Sequence, residues 1–274
     1  MTKISASEVN KLRKMSGAGI MDCKNALVES NGDFDLAIEI LRKKGQKVAA
    51  KRAERESSEG AVIAKVDSDC QNGVIISLNC ETDFVAKNDG FISLANELAD
   101  LALNSNSIEE FLNSTIDSMT VSEKLVQQTG VIGEKLVVGN FEKLSAAYVG
   151  KYIHAGNKIA TLSGFSGSSN GIEEIAKNVA MQAAAMNPIA LDENGVDKST
   201  IDKEIEIAKD QLRQEGKPEG MLDNIAKGKL KRFFKDNTLV NQDFIKDGKQ
   251  SVAAYVKSND SNLNITGFKR VALV

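Results

Sequence analysis

The stretch Cys80-Glu81-Thr82-Asp83-Phe84-Val85-Ala86-Lys87-Asn88 decides how this chain is read, because within it a strand has to become a helix. Upstream, Val74-Ile75-Ile76-Ser77-Leu78-Asn79-Cys80 is a β-branched run with Val74, Ile76, Leu78 and Cys80 on one face. Downstream, Ile92, Ala95, Leu98, Ala99 and Ala102 recur at helical spacing, with Asn88 or Asp89 available as the N-cap. A carboxylate and an aromatic ring therefore stand side by side in a short loop between ordered elements, and loops held in this way commonly present function. The residues alone leave a second reading open, in which Asp83 caps the first helical turn and Phe84 folds back to plug the junction.

The same grammar occurs twice. In the first copy Ala61 to Val66 reads as a strand, Cys70 to Gly73 as a turn, and the second strand, the loop and a helix to about Leu103 follow. In the second, Ala147 to His154 is a strand, Ala155-Gly156-Asn157 a turn, Lys158 to Leu162 a strand and Ile172 to Met186 a helix. Two copies of hairpin, loop and helix predict an α+β fold with two related subdomains. The intervening Gly164-Phe165-Ser166-Gly167-Ser168-Ser169-Asn170-Gly171 lacks the Gly-Lys-Ser/Thr ending that sets a lysine on a phosphate, and reads as a flexible connector.

Three short helices precede the first copy. Val9, Leu12 and Arg13 to Met15 make one, stopped at Ser16-Gly17-Ala18-Gly19; Met21 to Val28 makes the next; the third starts near Asp33 with Leu36, Ala37, Ile40 and Leu41 as its apolar stripe. Residues 1–55 carry twelve Lys or Arg against seven Asp or Glu. The basic run from Lys47 to Arg55 reads as a solvated helix end and linker, or as a surface for docking on an acidic protein.

Between the copies, Asn104 to Ser107 loosens the chain and a helix-rich connector runs to about Leu144. After Asn187-Pro188, Ile201, Ile205, Ala208 and Leu212 form a coiled-coil stripe, and Met221, Leu222, Ile225 and Phe233 return beyond Pro218. This predicts a protruding helical hairpin, closed on itself or pairing a homodimer through its outer face. Asn237 to Asp247 reads as a polar connector, Ser251 to Lys257 as a last helix and Asn264 to Val274 as a strand. The expected division is 1–55 for the bundle, 56–144 for the first subdomain, 145–191 with 237–274 for the second, and 192–236 for the hairpin inserted in it.

The 274 residues carry 35 basic and 38 acidic side chains, so the chain lacks the basic footprint of a nucleic-acid binder. No stretch approaches the roughly 18 apolar residues of a membrane span, and Met1 to Glu8 lacks the apolar core of a signal peptide, so the expected place is the cytoplasm. Cys23, Cys70 and Cys80 lack zinc-site spacing, and His154 is the only histidine, which points away from a metal.

Thr82-Asp83-Phe84-Val85-Ala86-Lys87-Asn88 resembles the signature loop of the bacterial elongation factor Ts family, the nucleotide exchange factors of the GTPase elongation factor Tu. Gly17 to Lys24 resembles that family's N-terminal motif, and Tyr152-Ile153-His154-Ala155-Gly156 and Pro218 to Phe234 follow in the family's order. Thr129 to Lys135 is similar to a segment that usually reads Gly-Glu-Asn before basic residues, from which Lys135 and Gly139-Asn140 depart; Asp243 stands where the family has Pro.

The resemblance implies a ubiquitin-associated-like N-terminal bundle, elongation factor Tu as partner, promotion of GDP release, no bond-making chemistry, no cofactor and no direct nucleic-acid contact. It places Thr82, Asp83, Phe84 and Val85 against the partner's magnesium site, with Phe84 entering between two helices. It sets Arg13, Ile20 and Met21 on the GTPase domain away from the nucleotide, and makes Ile132, Gly133 and His154 further contacts. Two other readings compete: an adaptor that binds without altering nucleotide kinetics, and a cysteine hydrolase with Cys80 as nucleophile and His154 as base, which needs thiol and imidazole within hydrogen-bond reach.

Overall fold

The computed structural model describes residues 4–273. Met1 to Lys3, where the N-terminal reading begins, and Val274, the end of the expected last strand, lie outside the described residues. Ser5 opens α1 (Ala6–Ser16) with a capping box to Glu8, and Gly17, in the left-handed region at φ 70°, closes it. After α2 (Ile20–Glu29), the Asp33 carboxylate accepts the amides of Asp35 and Leu36 to start α3 (Phe34–Arg52). Leu12, Cys23, Ala26, Leu27 and Ala37 are buried between the three. Leu36 is exposed instead of joining the stripe, and Ile38 packs in its place beside Ile40 and Leu41.

The chain continues through β1 (Glu59–Val66), β2 (Asn72–Cys80), the one-turn α4 (Asp83–Ala86), α5 (Asp89–Ala102) and α6 (Ile108–Asn113). The two-residue strands β3 (Thr115–Ile116) and β4 (Met119–Thr120) lead into α7 (Val121–Ile132) and β5 (Val137–Ser145). The second unit has β6 (Tyr148–Ile153), β7 (Ile159–Phe165) and α8 (Ile172–Met186). A 3-10 turn (Glu193–Gly195) precedes the long pair α9 (Lys198–Gln214) and α10 (Glu219–Asn237). Short strands β8 (Asp243–Phe244) and β9 (Asp247–Ser251), then α11 (Val252–Asn259) and β10 (Ile265–Ala272), complete it.

Mixed helix and antiparallel sheet make this an α+β fold. In the first sheet β2 lies between β1 and β5, and in the second β7 lies between β6 and β10. The sheets face one another through Val62, Ala64, Ile75, Val149, Ala160, Leu162 and Val271. The period of two sends Val74, Ile76, Leu78 and Cys80 the other way, onto Phe91, Leu94 and Leu98 of α5. Each large side chain buried there contributes about 1.5–3 kcal/mol. On the far side α8 covers the second sheet, where the Thr161 and Ser163 hydroxyls donate to the carbonyls of Ala180 and Ala176.

Three expectations change. The connector is not helical to Leu144, since from Val137 on it is β5, the third strand of the first sheet. Its Gly139-Asn140 pair sits at a bulge: Ser77 faces Asn140 and Leu78 faces Val138, leaving Gly139 unpaired. The stretch 237–247 is polar but only partly solvated: Asp243 and Ile245 to Asp247 are exposed, whereas Gln182 donates to the Gln242 side-chain oxygen and Gln242 to the Asp236 carbonyl, and Phe244 stacks on Tyr255 at 4.1 Å. In the long hairpin Met221 is exposed, and Ala226 takes its place beside Leu222 against Ala208 and Leu212.

The second half of α3 leaves the bundle and crosses α7. The helices meet backbone to backbone, for a Cβ on Gly130 would lie 2.3 Å from the Cα of Gly45. No helix among the described residues is long and apolar enough to cross a membrane.

Candidate functional site

The loop between β2 and α5 is a wound turn, not open coil. Thr82 is its N-cap, with its hydroxyl accepting the Val85 amide at 3.5 Å, so Thr82 and not Asp83 caps the turn. Asp83 begins the helix and pairs with Lys87 one turn on at 2.6 Å; that hydrogen bond and charge hold the Asp83 carboxyl below its usual range. Val85 turns inward onto the core with Ile132. Phe84 does not fold back: it is 83% exposed. An apolar ring held in water at the tip of an ordered turn gains nothing from folding.

The foot of this turn is fixed by Glu134, which nothing in the sequence singled out, and by Glu81, Lys135 and two arginines of the basic run whose meeting no spacing foretold. The Glu134 carboxylate accepts the Glu81 amide at 3.1 Å, the Thr82 amide at 3.0 Å and the Thr82 hydroxyl at 2.7 Å. The Glu81 carboxylate accepts the Lys135 amide at 2.7 Å, and the guanidiniums of Arg52 and Arg55 donate to it at 2.7 Å and 3.1 Å. Burial works to raise the Glu81 carboxyl, but the Lys135 amide and the two arginines outweigh it and hold it at about 2. Lys135 in turn donates its ammonium to the carbonyls of Ala53 and Arg55.

Within the basic run, Arg52 is thus half-buried and engaged with Glu81, while Arg55 pairs with the same carboxylate and stays largely exposed, as do Lys47 and Lys51. Arg52 and Arg55 reach the loop because α3 outlasts the bundle, and residue spacing gave no sign that they would meet Glu81.

Ile132 is the last residue of α7, and Gly133 ends the helix in the left-handed region at φ 82°, its amide returning to the Thr129 carbonyl. Ile132, Glu134 and Asn88 border, with Phe84 and Val85, an open depression of about 500 Å³. His154 is exposed in the turn of the second hairpin, its Nδ1 3.0 Å from the Tyr152 hydroxyl. That turn lies at the loop's end of the sheets: Glu59 faces Cys80 across β1 and β2, and Lys158 pairs with Glu59. The structure therefore gathers Thr82, Asp83, Phe84, Val85, Ile132, Gly133 and His154 at one end.

Arg13, Ile20 and Met21 stand apart, around the Gly17–Gly19 turn of the bundle, with Ile20 51% and Met21 60% exposed. The neighbouring Met15, which the sequence reading placed only in a helix, is exposed as well.

Cys80 is buried at the base of the loop and donates to the Thr82 carbonyl. Burial first, and the Glu134 carboxylate second, push its thiol up to about 11. A cysteine nucleophile needs its thiol bonded to the base, and here the Cys80 thiol donates to the Thr82 carbonyl while the His154 ring is bonded to the Tyr152 hydroxyl. Among the described residues no three His, Cys, Asp or Glu gather as a metal site.

A family model described as Elongation factor TS matches residues 81–273, from the foot of the loop to the end of the last strand. An elongation factor Ts of Flavobacterium psychrophilum is 68% identical over 273 residues, covering 100% of both chains, and one of Christiangramia forsetii is 68% identical over the same span. An elongation factor Ts of Amoebophilus asiaticus is 49% identical over 271 residues, 98% of each chain. Identity at this level, carried from end to end, leaves no segment of the fold or of the loop outside the likeness, and the chain belongs to the elongation factor Ts family.

Proposed function

We propose that this chain is a nucleotide exchange factor for elongation factor Tu that acts without bond-making chemistry, cofactor or nucleic-acid contact. The observation that carries the mechanism is Phe84, exposed on a turn whose foot is pinned from two sides. Exchange is a linkage: a factor that binds the empty GTPase more tightly than the loaded one lowers nucleotide affinity by the same factor. Phe84 is the wedge, a rigid apolar ring entering between two helices near the bound magnesium. Asp83 disturbs the magnesium water network, and displacing that ion removes charge neutralisation from the phosphates, so GDP leaves.

Thr82 and Val85 hold and flank the wedge, and Ile132, Gly133 and His154 supply contacts at the same end. Arg13, Ile20 and Met21 anchor the bundle on the GTPase domain, an exposed Met and Ile making an adaptable apolar contact. The outer face of the α9–α10 pair is the surface for any homodimer.

Stopped-flow release of a fluorescent GDP from elongation factor Tu tests this. The parent accelerates release, and Phe84→Ala lowers the maximal rate substantially with a smaller change in binding of the empty GTPase; Asp83→Ala gives a smaller loss in the same direction. Phe84→Ala releasing GDP as fast as the parent at saturation would place the wedge elsewhere. Binding without acceleration by the parent would favour the adaptor.

A further inference from the structure

Two glutamates at the foot of α4 hold each other's backbone. Glu134 takes the amides of Glu81 and Thr82 and the Thr82 hydroxyl; Glu81 takes the amide of Lys135, the residue after Glu134. The elements on either side do not need this clasp to end. The helix α7 closes on Gly133, whose amide returns to Thr129, and β2 is paired with β1 and β5 along its length. What does need it is α4. This helix of 4 residues keeps Val85 and Ala86 in the core and returns the Ala86, Lys87 and Asn88 amides to the Thr82, Asp83 and Val85 carbonyls, so its far end is held; its start, which carries the exposed Phe84 ring, hangs on the Thr82 cap that Glu134 grips.

We propose that Glu134 and Glu81 are positioning residues for Phe84, their reciprocal clasp fixing the direction in which the ring projects and so the maximal rate of nucleotide release. The inference rests on the reading of Phe84 as the wedge. Without Glu134, two amides and a hydroxyl lose their acceptors and the start of α4 shifts to find others. Only the fraction of loop conformers that aims the ring correctly then acts, and the maximal rate falls by that fraction. Affinity suffers less, because the bundle's exposed Ile20 and Met21 stand apart from Glu134. Arg52 joins the same clasp from the end of α3, so the helix that carries the bundle also steadies the wedge.

The test is a double-variant cycle in the GDP-release assay, using the full chain. Glu134→Ala should lower the maximal rate on the order of tenfold while the half-saturating concentration moves less. Glu134→Gln, whose amide oxygen still accepts both amides, should recover most of the rate. Adding Glu134→Ala to Phe84→Ala should cost nothing further, because the ring it aims is gone; a merely structural role would make the two losses multiply. Full maximal rate in Glu134→Ala, or multiplied losses in the double variant, overturns the proposal. Should Glu134→Ala not fold, Thr82→Val removes the 2.7 Å hydroxyl bond together with the longer 3.5 Å cap on the Val85 amide, and is read in the same cycle. A parent that does not accelerate release, or a Phe84→Ala that matches it, overturns the wedge reading itself, an outcome visible without any Glu134 variant.

Discussion

Adding one methyl group where α3 crosses α7 tests how the bundle is joined to the sheets. A Cβ on Gly130 would lie 2.3 Å from the Gly45 Cα, with the Gly45 nitrogen and carbonyl carbon at 3.4 Å and 3.5 Å. Ordinary carbon contacts are about 3.5–4.0 Å, so the helices must part by more than about 1 Å. The obstacle is backbone and cannot rotate away, which sets the cost near the upper end of overpacking, about 3 kcal/mol. Replacing glycine by alanine in a helix returns about 1 kcal/mol, so Gly130→Ala should destabilise the chain by about 2 kcal/mol.

Gly228 of α10 is the control, for nothing lies within 4 Å of its added Cβ, and Gly228→Ala should stabilise by up to about 1 kcal/mol. The same substitution therefore changes sign between two helices. Urea unfolding followed by circular dichroism reads both. Gly130→Ala at least as stable as the parent, with Gly228→Ala stabilising as expected, would refute the close crossing and with it the route by which Arg52 reaches Glu81.

Three further outcomes follow from the same geometry. The Glu81 carboxyl is lowered from 4.5 to about 2, so its contribution to stability is present above 4.5 and is lost as pH falls towards 2; the gap in urea midpoint between parent and Glu81→Gln should shrink across that window, and a gap constant with pH would mean the carboxylate is not held by its partners. A disulfide-exchange reagent at pH 8 should label Cys70 in the native chain and reach the buried Cys23 and Cys80 only on unfolding, leaving GDP release intact; rapid native labelling of Cys80 would contradict its burial. The α9–α10 pair returns to its starting point, the Ile189 amide donating to the Asn237 carbonyl, so residues 198–233 replaced by a short Gly/Ser linker should leave the remainder folded; loss of its cooperative thermal transition would show that the hairpin supports the sheets.

Local sequence was enough where a segment's pattern and its surroundings agree. Val74 to Cys80 alternates onto α5, Ile172 to Met186 is a helix with one apolar face, and the doubled hairpin and helix appear as read, because period and turn residues act over a few positions. That the loop stays partly exposed was legible too, since Thr82-Asp83-Phe84 between a strand and a helix can scarcely be buried whole. Which way Phe84 faces was not legible; an aromatic ring after a strand plugs or protrudes according to what else fills the junction, and here Val85, Phe91 and Ile132 fill it.

The strand β5 escaped because Gly139-Asn140 breaks its alternation, and a bulge is specified by the partner strand rather than by its own residues. The clasp escaped for a similar reason. Glu81 meets residues 29, 26 and 54 positions away, and Glu134 meets residues 53 and 52 positions away, so neither pairing has a period to betray it. A charged run in a sequence shows only that it must be solvated or paired. Which of these holds for Lys47 to Arg55 depends on how far α3 runs past its bundle, and that is settled where two glycines let it lie on α7.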